Sequence, residues 1–305
     1  MTGSILRGIG SFYTVLCDED GQEYTLRAQK KLRHQKMTPM VGDRVRFAPQ
    51  RDGHALITEI LPRKNALVRP PVSNIDQLLI VLSASAPAPD FLLADKLIVE
   101  ATLLSIAPIL ILNKCDCADA HVVEMFERDY AAHFPTLRVS ALTKAGLDGF
   151  FTILQGKISC FAGQSAVGKS SLINALVPEL SLATGGLSQK TARGRHTTRA
   201  VTLFSCDCGG ERMFIADTPG FSMLDFINFN FFGLDELVYT FPEFEKYLGG
   251  CRYRGCTHTK EEGCAVLAAV AEGAVPKSRH DSYLAIYEEL KKVPEWKRKA
   301  IESGR

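Results

Sequence analysis

Gly163-Gln164-Ser165-Ala166-Val167-Gly168-Lys169-Ser170 fits the pattern G-x-x-x-x-G-K-[ST] without a mismatch. The chemistry follows from the residue types. The glycines let successive backbone N–H groups turn inward toward phosphate oxygens, Lys169 reaches the terminal phosphates, and the Ser170 hydroxyl, followed by Ser171, is placed to hold magnesium. The flanks supply what such a loop requires. Lys157 to Ala162 reads as a buried strand, and Ser171 to Val177 reads as a helix with Leu172, Ile173 and Leu176 on one face. The helix N-terminus adds partial positive charge to the phosphate site. A chance glycine-rich turn would lack this order of strand, loop and helix.

Upstream, Pro108 to Leu112 reads as a buried strand ending in Asn113-Lys114-Cys115-Asp116. An Asn-Lys-x-Asp at a strand's carboxyl end suits guanine. The Asp116 carboxylate accepts hydrogen bonds from the ring N–H and the exocyclic amine, while the Lys114 stem lies along the base. Against adenine the carboxylate is left unpaired, a cost of roughly 2 kcal/mol or more. Ser140-Ala141, at the end of the next strand, is where a backbone N–H meets the guanine carbonyl in GTP-binding proteins.

Downstream, Ser181 to Arg199 is too long and polar for a simple connection and contains Lys190, Arg193, Arg195, His196, Thr197 and Thr198. It reads as a loop that orders around the γ-phosphate, with Thr197 or Thr198 completing the magnesium shell; a plain surface loop is the alternative. Strands over Val201 to Cys206 and Met213 to Ala216 follow, the second ending in Asp217-Thr218-Pro219-Gly220. Asp217 can hold magnesium through water, and the Gly220 N–H can sense the γ-phosphate. Phe221 stands where many GTPases carry a water-orienting Gln, so unassisted turnover is expected to be slow. His196 is the candidate catalytic residue, positioning or deprotonating the attacking water; contact with solvent or RNA alone is the competing reading.

A third constellation lies beyond. Cys251, Cys256, His258 and Cys264 bring four soft ligands within fourteen positions, the donor set of a closed tetrahedral structural zinc site. Arg252, Tyr253, Arg254 and Lys260 decorate this loop and suit RNA phosphate contact and stacking, or form a solvated face. No further Cys or His lies near Cys206 and Cys208 in sequence to complete a metal-ligand set, and they read as structural. Nine cysteines, an odd number, with no charged-then-apolar start to the chain, argue against a disulfide framework.

The elements that position these groups change character along the chain. Residues 1 to about 70 alternate apolar and polar positions in short strands joined by turns at Asp20-Gly21, Gly42-Asp43 and Asp52-Gly53, which suggests a small β-barrel. Arg27, Lys30, Lys31, Arg33 and Lys36 form an acid-free basic stretch near Phe12, Tyr13 and Tyr24: an RNA groove, or a solvated loop over core aromatics. Pro62 to Pro71 reads as a linker. Beyond it, strands at Ile75 to Leu82, Pro108 to Leu112 and Leu137 to Ser140 alternate with helices at Phe91 to Leu104, capped by Asp90, and Leu147 to Leu154. This alternation predicts a parallel sheet covered on both faces. The C-terminal part reads as helical, with Ser278 placed to cap a helix whose Tyr283, Leu284, Tyr287 and Leu290 share a face, and ends in a basic tail from Lys291 to Arg305.

The chain has 305 residues, with 36 Lys+Arg against 34 Asp+Glu, so any nucleic-acid surface is a local patch. Its longest apolar runs are too short to cross a bilayer. We read it as a cytoplasmic monomer.

The order base reader, Ser-Ala, phosphate loop, Thr loop, Asp-x-x-Gly is a rotation of the usual GTPase order. Together with a preceding barrel and a following Cys/His cluster, it closely resembles the RsgA/YjeQ family of small ribosomal subunit biogenesis GTPases over nearly the whole chain. The resemblance implies a circularly permuted α/β P-loop GTPase domain at 71–224, an N-terminal OB-type barrel at 1–70 that binds RNA, and a mostly helical zinc-binding domain at 225–305. It further implies GTP and GDP with magnesium as ligands, one structural zinc, docking on the small subunit and its rRNA near the decoding region late in assembly, and release after ribosome-stimulated hydrolysis. Because the chain past Gly220 runs into the C-terminal module, nucleotide state is expected to move that module. Two other readings compete: a GTP-controlled RNA-binding switch whose hydrolysis is incidental, and a metabolic P-loop kinase or ATPase, against which Asn113, Lys114 and Asp116 argue.

Overall fold

The strand β8, Gln77–Ser83, is the centre from which the rest is placed. Seven consecutive buried residues cover both its faces, and its side chains divide by parity. Leu78, Ile80 and Leu82 enter one core with Leu93, Leu97, Phe126 and Tyr130, whereas Leu79 and Val81 enter another with Phe150, Leu154, Leu172 and Ile173. The computed structural model describes residues 1–34, 37–49, 55–67, 71–178, 201–208, 211–217 and 233–292.

Around β8 lie β9 (Ala107–Asn113), β10 (Thr136–Arg138), β11 (Ile158–Ala162) and β13 (Glu211–Asp217), in the spatial order β10-β9-β8-β11-β13 and mutually parallel. The helices α2 (Phe91–Leu103) and α3 (Ala120–Tyr130) cover one face, and α4 (Leu147–Leu154) and α5 (Lys169–Leu176) the other. Asp90 caps α2 as its sequence predicts, accepting from the Leu93 N–H at 2.9 Å. The sheet is not wholly parallel: β12 (Thr202–Cys208) runs antiparallel to β13, because two residues of sequence between them are too few for the crossover that a parallel pair needs.

The N-terminal strands close on themselves. β1 (Thr2–Ile9), β2 (Phe12–Cys17), β3 (Glu23–Ala28), β5 (Ala55–Ile60) and β4 (Arg44–Pro49) pair in that order, and β4 returns to β1. Ile5, Val15, Leu26, Val45, Phe47 and Ile57 fill the interior. Closure needs a close approach at Gly3, where an added Cβ would sit 2.3 Å from the Leu16 carbonyl oxygen. The basic stretch is more ordered than a loop: Lys30–His34 form a helix, α1, anchored by buried Leu32. Tyr24 is spent on the barrel, packing on Phe47 and donating to Asp20, whereas Phe12 stays 44 % exposed beneath the Arg27 guanidinium, 4.3 Å from its ring centre.

The expected linker also carries structure. Ala66–Leu67 (β6) pairs with Val72–Ser73 (β7), and Arg63 Nε donates to buried Asp43 at 2.6 Å, whose other contacts include the Ser73 hydroxyl. Arg7 in β1 pairs with Thr202 in β12, so barrel and central sheet are hydrogen-bonded together.

The C-terminal part packs short 3₁₀ turns at Leu237–Thr240 and Pro242–Tyr247 against α6 (Ala265–Ala271) and α7 (Lys277–Lys291), around Phe241, Phe244, Tyr283 and Ile286. Ser278 does not cap α7. Pro276 occupies the cap position, where its fixed φ suits entry to the helix, and the Ser278 hydroxyl instead donates to Asp129 of α3 at 2.5 Å. No helix among the described residues is long and apolar enough to cross a membrane.

Candidate nucleotide site and metal centre

Parallel strands deliver their carboxyl ends to one edge of the sheet, and that edge is where ligands bind in open α/β folds. Here the edge collects Asn113 from β9, the Ser140 turn after β10 and the phosphate loop after β11. Register fixes their level: Ser83 of β8 lies beside Asn113, and Ile80 beside Ala162.

Within the loop, two glycines are required by backbone conformation and by space. Gly163 has φ +130°, and a Cβ there would lie 2.3 Å from the Val81 carbonyl oxygen; Gly168 has φ +96°, and a Cβ would lie 2.5 Å from Asn113 Nδ2. The second contact shows how closely the phosphate loop and the base-reading segment meet. Asn113, 1 % exposed, donates from Nδ2 to the Val167 carbonyl at 2.9 Å and accepts at Oδ1 from the Ala141 N–H at 3.1 Å. One carboxamide thus joins the ends of β9, β10 and β11. Lys114, in the left-handed region, extends from this point, and its Nζ donates to the carbonyls of Ala166 at 2.8 Å and Ala86 at 2.5 Å. Its stem therefore bridges two loops.

Ser140 contributes through its side chain. Its hydroxyl donates to the Asp116 carboxylate and accepts from the Thr143 N–H at 3.1 Å. That bond to Ser140, ahead of other causes, holds the Asp116 carboxyl below the usual carboxylate range, so Asp116 stays ionised and oriented. The Ala141 N–H is shared with Asn113 rather than standing free. Sequence reasoning assigned this turn only a backbone donor; the Ser140 to Asp116 bond needed the fold to become visible.

Lys169 Nζ donates to the carbonyls of Gly163 and Gln164, each at 2.7 Å. Burial pushes its pKa down to about 8. Ser170, Ser171 and the first turn of α5 follow Gly168, and Ser165, Ala166 and Val167 form the loop between, with Ala166 at φ +63°. Gln164 Oε1 is buried without a hydrogen-bond partner. Asp217 ends β13, the strand beside β11. His196, Thr197, Thr198 and Gly220 lie outside the described residues.

The second cluster lies in the C-terminal part. One ligand atom from each of Cys251, Cys256, His258 and Cys264 falls within 4.8 Å of all the others. Cys251 Sγ is 3.6 Å from His258 Nδ1 and 3.9 Å from Cys264 Sγ, and His258 Nδ1 is 3.4 Å from Cys264 Sγ. A tetrahedron with bonds of about 2.3 Å has edges of about 3.8 Å, so the donor set fits one zinc ion with no position left open. Burial holds the His258 imidazole below its ordinary pKa, and hence neutral as a ligand must be. Around it, the Ala265 N–H points at Cys251 Sγ at 3.4 Å, and His280 Nε2 donates to the His258 carbonyl at 2.8 Å.

Glu261, which sequence reasoning passed over, holds this loop in shape. Its carboxylate accepts from the N–H groups of Thr257 at 2.9 Å, Thr259 at 3.0 Å and Lys260 at 3.1 Å, and from the Thr257 hydroxyl. Burial pushes the group up, but these donors outweigh it and bring the pKa down to about 2. Glu261 sits three residues before Cys264 in a polar run, a local signal too ordinary to single out. Among the described residues, Cys206 and the other cysteines join no metal-ligand group.

Comparison with known proteins agrees with this arrangement. The family model described as RsgA GTPase matches residues 60–227, and that of the RsgA N-terminal domain matches residues 2–57. The protein named small ribosomal subunit biogenesis GTPase RsgA from Geobacillus thermodenitrificans is 42% identical over 293 residues, 95% of this chain and 97% of that protein. The protein of the same name from Ruminiclostridium cellulolyticum is 36% identical over 99% of this chain and 98% of its own length. Among solved structures, YjeQ from Thermotoga maritima superposes with a TM-score of 0.82 at 31% identity, covering 96% of this chain and 99% of that one. YloQ, described as a circularly permuted GTPase, gives 0.78 at 33% identity over 96% of each chain. With a closed barrel, a rotated order of nucleotide-binding segments and a Cys₃His cluster in one chain, this protein belongs to the RsgA family of circularly permuted GTPases.

Proposed function

We propose that this chain is a GTP hydrolase that binds the small ribosomal subunit and its rRNA during late assembly and is released after hydrolysis. The observation that carries the nucleotide part is the Asn113 side chain, which ties the phosphate loop and the Ser140-Ala141 turn together at the end of β9. Asp116, held ionised by Ser140, reads the guanine edge, Lys114 lies along the base, and the Ala141 N–H, shared with Asn113, faces the guanine carbonyl. The amides from Gly163 to Ser171 and the Lys169 ammonium receive the phosphates. Ser170 holds magnesium with Thr197 or Thr198, Asp217 supports it through water, and Gly220 senses the γ-phosphate. His196 positions the attacking water, since Phe221 has no group to do so.

The subunit part rests on the names of the relatives and on three local features: the Arg27 and Phe12 pair on the barrel, the basic helix α1, and the arginines of the zinc loop. In this reading 1–70 is the RNA-binding barrel, 71–224 the GTPase domain and 225–305 the zinc-binding domain, and the protein acts as a cytoplasmic monomer. Measuring GTP turnover with and without purified small subunits tests it. Slow turnover alone, accelerated by subunits and lost in His196→Ala with GTP binding retained, is the expected result. Subunit binding without acceleration would instead make the protein a GTP-controlled switch.

A further inference from the structure

Beside the Cys/His cluster, and lined in part by its ligands Cys251, Cys256 and His258, the C-terminal part holds an open space of about 670 Å³ that extends beyond the zinc position to residues outside the ligand set. Val238 and Leu248 give its lining apolar surface, and Tyr283 and Tyr287, with ring centres 6.1 Å apart, line it as well. Two further tyrosines border it without being absorbed by the core: Tyr239 is 73% exposed and Tyr253 is 50% exposed. Arg252 and Arg254 complete that border, and the Arg252 guanidinium lies 5.5 Å from the Tyr253 ring centre. Asp235 is the acidic residue of the lining.

We propose that this pocket takes one unpaired nucleotide of an RNA strand, its base stacked on Tyr253 and Tyr239 and its phosphate met by Arg252 and Arg254. The inference rests on the RNA reading above and deepens it by naming the site and the state of the RNA. Flat rings beside a guanidinium are what a splayed-out base stacks on, and stacking tolerates any base because each has a π face. Pockets for ligands of this size span roughly 300–1,000 Å³. A base within a duplex cannot enter, since its faces are already covered by its neighbours. A cationic side chain would also favour aromatic walls, but two arginines at the border repel it, whereas they attract a phosphodiester. The rigid zinc loop keeps Arg252, Tyr253 and Arg254 in place between Cys251 and Cys256 without the ordering cost of a free loop.

The test uses full-length, zinc-loaded protein and a fluorescein-labelled single-stranded RNA heptamer of mixed sequence, with the same sequence annealed as a duplex for comparison. In anisotropy titrations at one salt concentration, Tyr253→Leu and Tyr239→Leu should each weaken single-strand binding by about tenfold while duplex binding holds. Tyr253→Phe should restore it, because the ring rather than the hydroxyl stacks. Crosslinking with 5-iodouridine-substituted RNA should label peptides containing Tyr239 or Tyr253. Both tyrosines are exposed, so unchanged zinc content certifies that each variant is folded. Single-strand affinity unchanged in both Leu variants, crosslinks confined to the barrel, or no single-strand binding by the unaltered protein would each overturn the proposal, as would competition by ribosomal-protein peptides but not by RNA. If small subunits still accelerate GTP turnover, such a result removes the pocket and leaves the broader function standing; absent acceleration removes the broader function.

Discussion

Arg279 and Asp95 form an ion pair across 184 positions of sequence, with both side chains 1% exposed. Arg279 belongs to α7 in the C-terminal part and Asp95 to α2 beside the central sheet, so the pair crosses from one to the other. Glu243 accepts from Arg279 Nε at 2.5 Å, Tyr130 donates its hydroxyl to Asp95 at 2.8 Å, and the guanidinium sits 4.7 Å from the Phe241 ring centre and 5.2 Å from that of Tyr130. Burial works against the Arg279 charge, but Asp95 and then Glu243 more than compensate and raise its pKa. The same burial pushes the Asp95 carboxyl up, with Arg279 opposing it.

Removing the cation therefore costs more than the pair is worth, because two carboxylates are left in a dry site. Arg279→Met is expected to destabilise the fold by about 3–5 kcal/mol, the usual cost of orphaning a buried charge. Denaturant unfolding should show a transition of the C-terminal part separating from and preceding that of the central sheet. A single transition at the unaltered midpoint would show that the joint carries no such weight.

The reading of guanine by Asp116 is testable by exchanging donor for acceptor. An ionised carboxylate only accepts, which matches the N–H groups on the guanine edge, whereas Asn presents an amide that donates to the extra carbonyl of xanthine. Asp116→Asn should therefore lower GTP affinity by at least about a hundredfold and bind xanthosine triphosphate in its place. The Ser140 hydroxyl, donor to Asp116, can reorient to serve the new side chain. Equal loss of both nucleotides in competition binding would mean that Asp116 supports the loop and does not read the base.

Much of this site was legible because each motif carries its own mechanism. Gly163, Gly168 and Lys169 announce a phosphate loop, and the alternation of Leu78, Ile80 and Leu82 with Leu79 and Val81 reports a strand buried on both faces. Other features were not legible because they depend on residues distant in sequence. The Asn113 bond to Val167 spans 54 positions, and nothing local marks Asn113 as the joint between loops rather than a base contact. Arg279 carries no sequence signal of its own, since a buried Arg is recognisable only once Asp95 and Glu243 are placed around it. The Pro62 to Pro71 stretch reads as a linker because proline and basic residues dominate, yet Arg63 reaches back to Asp43 in the barrel.

The half-buried Lys169 gives nucleotide binding a pH dependence of definite sign. Its folded pKa, about 8, lies below its ordinary 10.5. Between those values the unfolded chain holds the proton that the folded chain has lost, so raising pH through this window stabilises the nucleotide-free fold. Bound phosphate favours the ammonium and reverses the preference. GTP affinity should thus fall as pH rises above about 8, approaching tenfold per pH unit, with proton uptake on binding. Calorimetry at about pH 9 in two buffers of different ionisation enthalpy measures that uptake directly. Affinity that stays level between about pH 7.5 and 9.5 would place the ammonium in contact with solvent.

Glu261 sets the last expectation. Four donors converge on its carboxylate from Thr257, Thr259 and Lys260, the residues on either side of His258. His258 itself has φ +57°, a conformation that a non-glycine residue adopts at a cost and that the surrounding bonds must hold. Glu261→Ala removes the acceptor for the turn without touching a metal ligand. The four ligand atoms then lose their preset spacing, and zinc affinity should drop by about tenfold, in the range found when groups supporting a ligand are removed. Competition with a chromophoric chelator reads this out, with Cys256→Ser as the variant that loses a ligand and falls further. Since α7 packs on the same loop through the Tyr283 hydroxyl and the Thr257 carbonyl, 2.8 Å apart, chelating zinc from the unaltered protein should loosen α7 as well. Hydrogen exchange of α7 amides that is indifferent to the chelator would confine the metal's role to its own loop.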